Sequence, residues 1–407
     1  MRSLALAATL IVAATVPVDA QVDYELDGSL WGRFESRSID EGVNSNFTWL
    51  QTRIGAEMFF SPLVSVFAQV QDTRRMGEET STGDGSAERL DMHQGYLDLG
   101  DRAETPVWVR IGRQEYEVSR GRLVGIPIWS PVSRIFDGVR AVVPVGDAAT
   151  VELFGFQLAE STETVNPDDA YLLGGWGVVP LGDGDLHLIG LHDRDNADLQ
   201  TTRTTLVAQY FGRTGPVTYR AEAGSQTGSV TDLDIVSGSL LTAFAALPWD
   251  DGRGSVGLGV ERYGGNANPA AGESAGFSDL FGRNHRFLGF ADIIRDPRAD
   301  LGGRGLLLLN PQVTWRVRPD LQLRGDYHRF MLVDSDGYDG SAVADEIVLQ
   351  LWGEIMDGLD IRAGGSWVGA HDPLVDFGLS AGDQLFGYVQ LSAGFWGGGP
   401  GRTPRWH

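Results

Sequence analysis

Apolar and polar residues alternate with a period of two in short segments along most of the chain. Leu50, Thr52, Ile54, Ala56 and Met58 interleave with Gln51, Arg53, Gly55 and Glu57, so an extended strand there has one lipid-compatible face and one hydrophilic face. The same division separates Val64, Val66, Ala68 and Val70 from Ser65, Gln69 and Gln71, and Leu321, Leu323 and Tyr327 from Gln322, Arg324, Asp326 and His328. It returns in Ile347, Leu349, Leu351 and Ile355 against Glu346, Gln350 and Glu354, and in Leu359, Ile361, Ala363 and Trp367 against Asp360, Arg362 and Ser366. A soluble β-sandwich would show the same alternation, with its apolar face in a core.

The connections separate the two readings. Short turns at Ser61-Pro62, Gly146-Asp147-Ala148, Gly182-Asp183-Gly184, Arg213-Thr214-Gly215, Arg318-Pro319-Asp320 and Asp357-Gly358 alternate with longer polar or Gly-rich stretches. Those stretches lie near residues 37–46, 73–88, 115–134, 159–170, 193–201, 225–235, 263–304, 333–343 and 371–383, and 100–106 and 248–254 complete the turns. Nine long loops and eight turns predict eighteen strands, the even number and loop asymmetry of an antiparallel outer-membrane β-barrel with short periplasmic turns and longer extracellular loops. At that size the lumen holds water.

The chain ends fit this reading. Arg2, an apolar run from Leu4 to Val16 and Val18-Asp19-Ala20 before Gln21 form a secretory signal over residues 1–20. The barrel is predicted over 21–396, with a flexible Gly-Pro-rich tail over 397–407. No segment has the length of apolar residues that a spanning helix requires. There is no cysteine, so closure must rest on packing and hydrogen bonds.

Composition adds charge to this picture. All 32 basic residues are arginine, and the net charge is −23; such acidity opposes nucleic-acid binding through a general basic field. Arg33, Arg53, Arg110, Arg316, Arg324 and Arg362 fall on the hydrophilic parity with Glu35, Glu57, Asp326, Glu354 and Asp360, so both signs are predicted to line the lumen. Between two strand-like runs sits a denser knot: Arg110, Arg113, Arg120, Arg122, Arg134 and Arg140, with Trp129 and Asp137. Guanidinium groups keep their charge, so this crowding fits water or an anion. Arg113 and Arg140 fall out of step with the alternation, which predicts a bulge or strand end. Gly121, Gly125, Pro127 and Pro131 suit residues 115–134 to folding inward as a constricting loop.

Other chemistry is sparser. Asp334, Asp336 and Asp339 resemble a calcium loop without its spacing or closing glutamate; otherwise no metal or cofactor is expected. His192-Asp193 and His371-Asp372 are adjacent, so in a strand their side chains diverge and form no acid–base dyad. No catalytic residue is assigned and no enzyme is expected. Trp31, Trp49, Trp108 and Trp367 are expected in lipid girdles.

Gln71-Asp72-Thr73-Arg74, His93-Gln94-Gly95-Tyr96-Leu97-Asp98, Gly112-Arg113-Gln114-Glu115, Arg122-Leu123-Val124-Gly125, Trp129, Phe136-Asp137-Gly138-Val139-Arg140, His285 to Asp292 and Tyr327-His328-Arg329-Phe330 together resemble the alginate-export family of outer-membrane porins. The resemblance implies an eighteen-stranded barrel whose arginine-lined pore passes an anionic uronate polysaccharide outward. It implies Arg74, Arg113, Arg134, Asp137 and Arg140 as pore-facing; Arg110, Arg122, Arg324 and Arg362 join them from the parity and the knot. A guanidinium fork binds a carboxylate through two parallel hydrogen bonds, so forks in series suit a polyanion independently of the family. The expected partners are outer-membrane lipid and lipopolysaccharide, an anionic polysaccharide or oligosaccharide, and periplasmic secretion proteins for an exporter. A general or nutrient-uptake porin is the alternative, and a surface-adhesion barrel a third reading, for which only residues 263–304 approach the needed loop size.

Overall fold

The structure, a computed structural model, describes residues 23–39, 43–77, 90–101, 105–146, 149–159, 169–196 and 200–397. Within them eighteen long strands form one closed antiparallel barrel, from Asp23–Ile39 to Gln384–Gly397, and these two strands pair with each other to close it. Closure leaves no sheet edge, so every strand finds its backbone partners in the sheet, as a lipid environment requires. Two short segments, Leu233–Val236 and Glu273–Ala275, pair in parallel inside loops and stand outside the barrel order.

The alternation resolves as predicted. On the first strand Leu26, Leu30 and Phe34 are 42, 47 and 48% exposed on the outer face, while Glu25, Asp27, Arg33 and Glu35 are buried on the inner one. Loops and turns fall close to their expected places. The exception is the first loop, where strands extend through 39 and resume at Val43, so most of 37–46 is strand. The last strand runs through Gly397, one residue beyond the expected boundary. The predicted signal over 1–20 and the rest of the tail lie outside the described residues.

One part of the wall breaks the polar-in rule. Phe136, Phe154, Phe156, Leu172, Ile189, Leu191, Val207 and Leu240 face inward and are buried. They are covered by two loops that enter the lumen. Residues 115–135 fold inward as expected and pack Tyr116 against Phe154 and Phe156, with ring centroids 4.8 and 5.1 Å apart. Residues 264–305 do the same with Phe277, Leu288 and Ile294, all 0% exposed. This corrects the adhesion reading of the long loop: its apolar residues are spent inside the barrel, and it does not project as a solvated insertion.

The two loops form one unit. The Phe281 N–H donates to the Leu123 carbonyl at 2.8 Å, Gly125 N–H to the Phe281 carbonyl at 3.0 Å, and Arg283 N–H to the Gly121 carbonyl at 2.9 Å. Gly121 sits at φ +77°, where a Cβ would stand 2.6 Å from both the Arg283 and Glu117 side chains. Only glycine meets both demands.

Candidate functional site

Three walls hold the plug. Arg122 reaches the wall through Glu261, with hydrogen bonds of 2.8 and 2.9 Å, the Tyr263 hydroxyl at 2.8 Å, and Glu222 at its Nε. On another side Arg33 donates to the Trp129 carbonyl at 2.8 Å, and Gln51 and Thr73 donate to that of Pro131. On a third, the Glu346 carboxylate accepts the Phe290 N–H at 3.0 Å and the Ala291 N–H at 2.7 Å. Trp129 of one loop stacks on His285 of the other, 4.2 Å apart and 8° from parallel, under the Arg33 guanidinium at 3.8 Å. Each contact joins a loop to a wall or to the other loop, so the plug is fixed by several charge-assisted bonds rather than by packing alone.

Between the plug and the wall formed by the strands Leu321–Leu332, Ala342–Met356, Leu359–Ala370 and Gln384–Gly397 lies a cavity of about 760 Å³. Arg134, Arg283, Arg286 and Arg295 line it from the plug, and Arg324 and Arg362 from the wall. Asp292 and Asp326 are the only acids among its lining residues. Arg324 is bound to Asp326 at 2.6 Å and Arg283 to Glu117 at 3.0 Å, whereas Arg134, Arg286, Arg295 and Arg362 make no ion pair among the described residues. Burial lowers the Arg134 guanidinium from its ordinary value, and burial together with neighbouring Arg283 pushes Arg286 down to about 10. The half-buried Arg134 guanidinium bonds the Gly125 and Phe281 carbonyls without a full counter-charge, and an anion beside it relieves that cost, while Arg286 is exposed to the lumen.

The sequence-predicted residues divide into four groups. Arg134, Arg324 and Arg362 meet at this cavity. Arg110 and Arg140 face inward as paired neighbours and border a smaller chamber of about 430 Å³ near the turns, but they are engaged: Arg110 makes two 2.7 Å bonds to Asp98, and Arg140 meets Glu152 at 3.3 Å. Arg122 is buried in the plug rather than lining an open pore. Arg74, Arg113 and Asp137 are corrections, since all three lie on the outer face.

Arg74 pairs in register with Leu50 and binds outward-facing Asp72 at 2.8 Å. Arg113 pairs with Gly95 and Asp137 and binds Asp137 at 2.8 and 2.9 Å, and both side chains are exposed. The register around Arg113 is regular, so its broken parity marks a strand end, not a bulge. At that level an outward charge meets headgroups rather than hydrocarbon, and the alternation rule lapses. Replacing Arg113 with alanine is therefore expected to leave ion selectivity unchanged, as the reversal potential in a salt gradient will show.

Three of the four expected girdle tryptophans also turn inward. Trp31 donates to Gln51 at 2.8 Å, Trp108 is 4% exposed between Arg110 and Arg140, and Trp49 pairs with inward Arg33. Trp367 alone of the four is on the outer face, 43% exposed. His371 Nε2 meets Asp345 at 2.9 Å and His192 Nδ1 meets Thr204 at 3.1 Å, so neither is coupled to its neighbouring aspartate. Asp334 accepts the N–H groups of Ala267 and Asp336, and Asp336 accepts from Asn268; these carboxylates tie the 333–341 loop to the long one. The residues missed from sequence are Arg283, Arg286 and Arg295. A signal was present, because Phe277, Phe281, Phe287, Leu288, Phe290, Ile293 and Ile294 are too apolar for a solvated loop.

A closed barrel with an apolar belt, a loop plug and a charged lumenal cavity defines an outer-membrane channel. Residues 24–375 match the alginate export family, and the chain belongs to it. No curated protein sequence matches the chain. Among solved structures it is similar to Acinetobacter baumannii OccAB1, at 14% identity and a TM-score of 0.63, covering 92% of this chain and 96% of that one. Pseudomonas aeruginosa OpdO is similar at 13% identity and 0.65, over 92% and 97%, as is Pseudomonas aeruginosa OpdK with vanillate at 13% and 0.62, over 92% and 99%. These likenesses establish the fold. Family and fold together place the chain in the outer membrane of a Gram-negative bacterium, in contact with its lipid.

Proposed function

We propose that the channel passes anionic polysaccharide or oligosaccharide of the alginate-like uronate class along its arginine-lined side, and that it performs no catalysis. The observation that carries this is the imbalance inside the cavity: six arginines face two aspartates in a chain whose net charge is −23. Against that overall charge, a cationic lumen is a local arrangement, and its low-dielectric walls focus the field on whatever passes. Arginines on opposite sides, Arg134 and Arg286 on the plug and Arg324 and Arg362 on the wall, suit a polyanion handed from fork to fork.

Single-channel recording in planar bilayers tests it. Oligouronates added on one side are expected to interrupt the current, and neutral oligosaccharides of equal length to do so far less. Raising the salt from about 0.1 to about 1 M, which shortens the Debye length from about 10 to about 3 Å, is expected to weaken the uronate block markedly. Salt-independent block would count against charge as its cause.

A second reading, uptake of small carboxylates, draws on the two loops folded into the lumen, which narrow the path, and on the similarity to OpdK, whose structure was determined with vanillate. Block by monomeric carboxylates as strong as block by uronate oligomers would favour it.

A further inference from the structure

We propose that the wall of the cavity carries a sugar-ring subsite, in which Trp352 is the platform for a pyranose face, Arg362 takes the ring's carboxylate and Gln390 a hydroxyl. This rests on the uronate reading and deepens it, from attraction of charge to recognition of a ring.

The register places the three residues side by side. Trp352 pairs directly with Arg362, and Arg362 directly with Gln390, on three consecutive strands. Directly opposed residues share a face with Cβ atoms about 4.5–5.5 Å apart. All three line the cavity, whereas Ile347 and Leu349, on the opposite parity of the Trp352 strand, are 54 and 58% exposed on the outer face. The row is thus a flat indole next to an exposed guanidinium and an amide that also meets Arg33 and Ser392, a spacing suited to one hexuronate: an apolar ring face with a carboxylate at its rim.

Trp352 differs from the other inward tryptophans in its lack of a specific partner. Trp31 bonds Gln51, Trp108 lies against two guanidiniums, Trp129 is stacked on His285, and Trp176 donates to the Tyr116 hydroxyl. Trp352 has no ring, cation or hydrogen-bond partner among the described residues and is half-buried at the cavity. A large apolar side chain facing a water-filled lumen exposes surface that a structural role would have covered. Arg362 beside it likewise makes no ion pair among the described residues. Charge alone would need only the arginine; an indole in the same row adds selectivity for a ring.

The test compares blockers on the whole channel in planar bilayers: a uronate oligomer, and glutarate as a ring-free dianion. Trp352→Ala is expected to weaken block by the uronate oligomer by about tenfold, with Trp352→Phe intermediate, while glutarate block and the reversal potential stay as in the unmodified protein. Uronate block unchanged in Trp352→Ala, or equal weakening for both blockers, overturns the subsite while leaving the uronate channel standing. Absence of uronate block in the unmodified channel overturns both.

Discussion

Arg122→Ala is expected to destabilise the barrel by about 3–5 kcal/mol and to convert a quiet channel into a noisy one of larger conductance. Arg122 is 1% exposed and is shared between Glu222 and Glu261, with the Tyr263 hydroxyl completing its bonds. Removing the guanidinium leaves two carboxylates facing each other in a buried site, which is the costly way to break such a cluster. The loss falls first on the 115–135 loop, whose fastening to that wall runs through this residue, and it reaches the long loop through the backbone bonds at Leu123, Gly125 and Gly121, although Glu346 and Gln226 still hold Phe290, Ala291 and Ser278. The unfolding temperature in detergent and the open-channel current noise measure the two effects. A variant that also changes Glu222 and Glu261 to glutamine and Arg122 to methionine should recover much of the stability, because no buried charge is then left alone. Unchanged melting and noise in Arg122→Ala would mean that packing, not this cluster, holds the plug.

Changing Arg134, Arg324 and Arg362 together to glutamine is expected to abolish anion preference and to remove uronate block at accessible concentrations. The three line one cavity from two sides, with Arg134 on the plug and the others on the wall. A hydrogen bond to a charged group contributes about 1.5–3 kcal/mol. At the lower end each replacement weakens binding by about tenfold, and three independent ones by about a thousandfold. Glutamine keeps most of the side-chain length, so the path is not greatly widened. Single variants should show graded losses, smallest for Arg324, whose charge Asp326 already offsets. Preserved selectivity in the triple variant would shift the filter to Arg283, Arg286 and Arg295.

The barrel was legible in the sequence because lipid enforces it. Wherever the outer face meets hydrocarbon, as at Leu26, Leu30 and Phe34, the period of two is strict, and turn asymmetry supplied the strand number. The candidate site was legible only where the same constraint held. Arg324 and Arg362 lie within regular alternation between apolar neighbours and were placed correctly, while Arg74 and Arg113 lie at strand ends, where an outward arginine meets headgroups and parity carries no information. The plug hid in a different way. Phe154, Phe156 and Leu172 make their strands apolar on both faces because the inner face meets protein, and Phe277 to Ile294 supply what covers them. Those two anomalies belong together, but sequence order keeps them more than a hundred residues apart.

In the proposed function the lumen offers a path to anions along its arginine side despite the acidity of the whole chain. The reversal potential of the unmodified channel across a potassium chloride gradient tests this most directly. A potential of the sign given by chloride preference is expected, together with current block by oligouronates and not by neutral oligosaccharides of equal length. Potassium preference with equal block by the two sugars would contradict it.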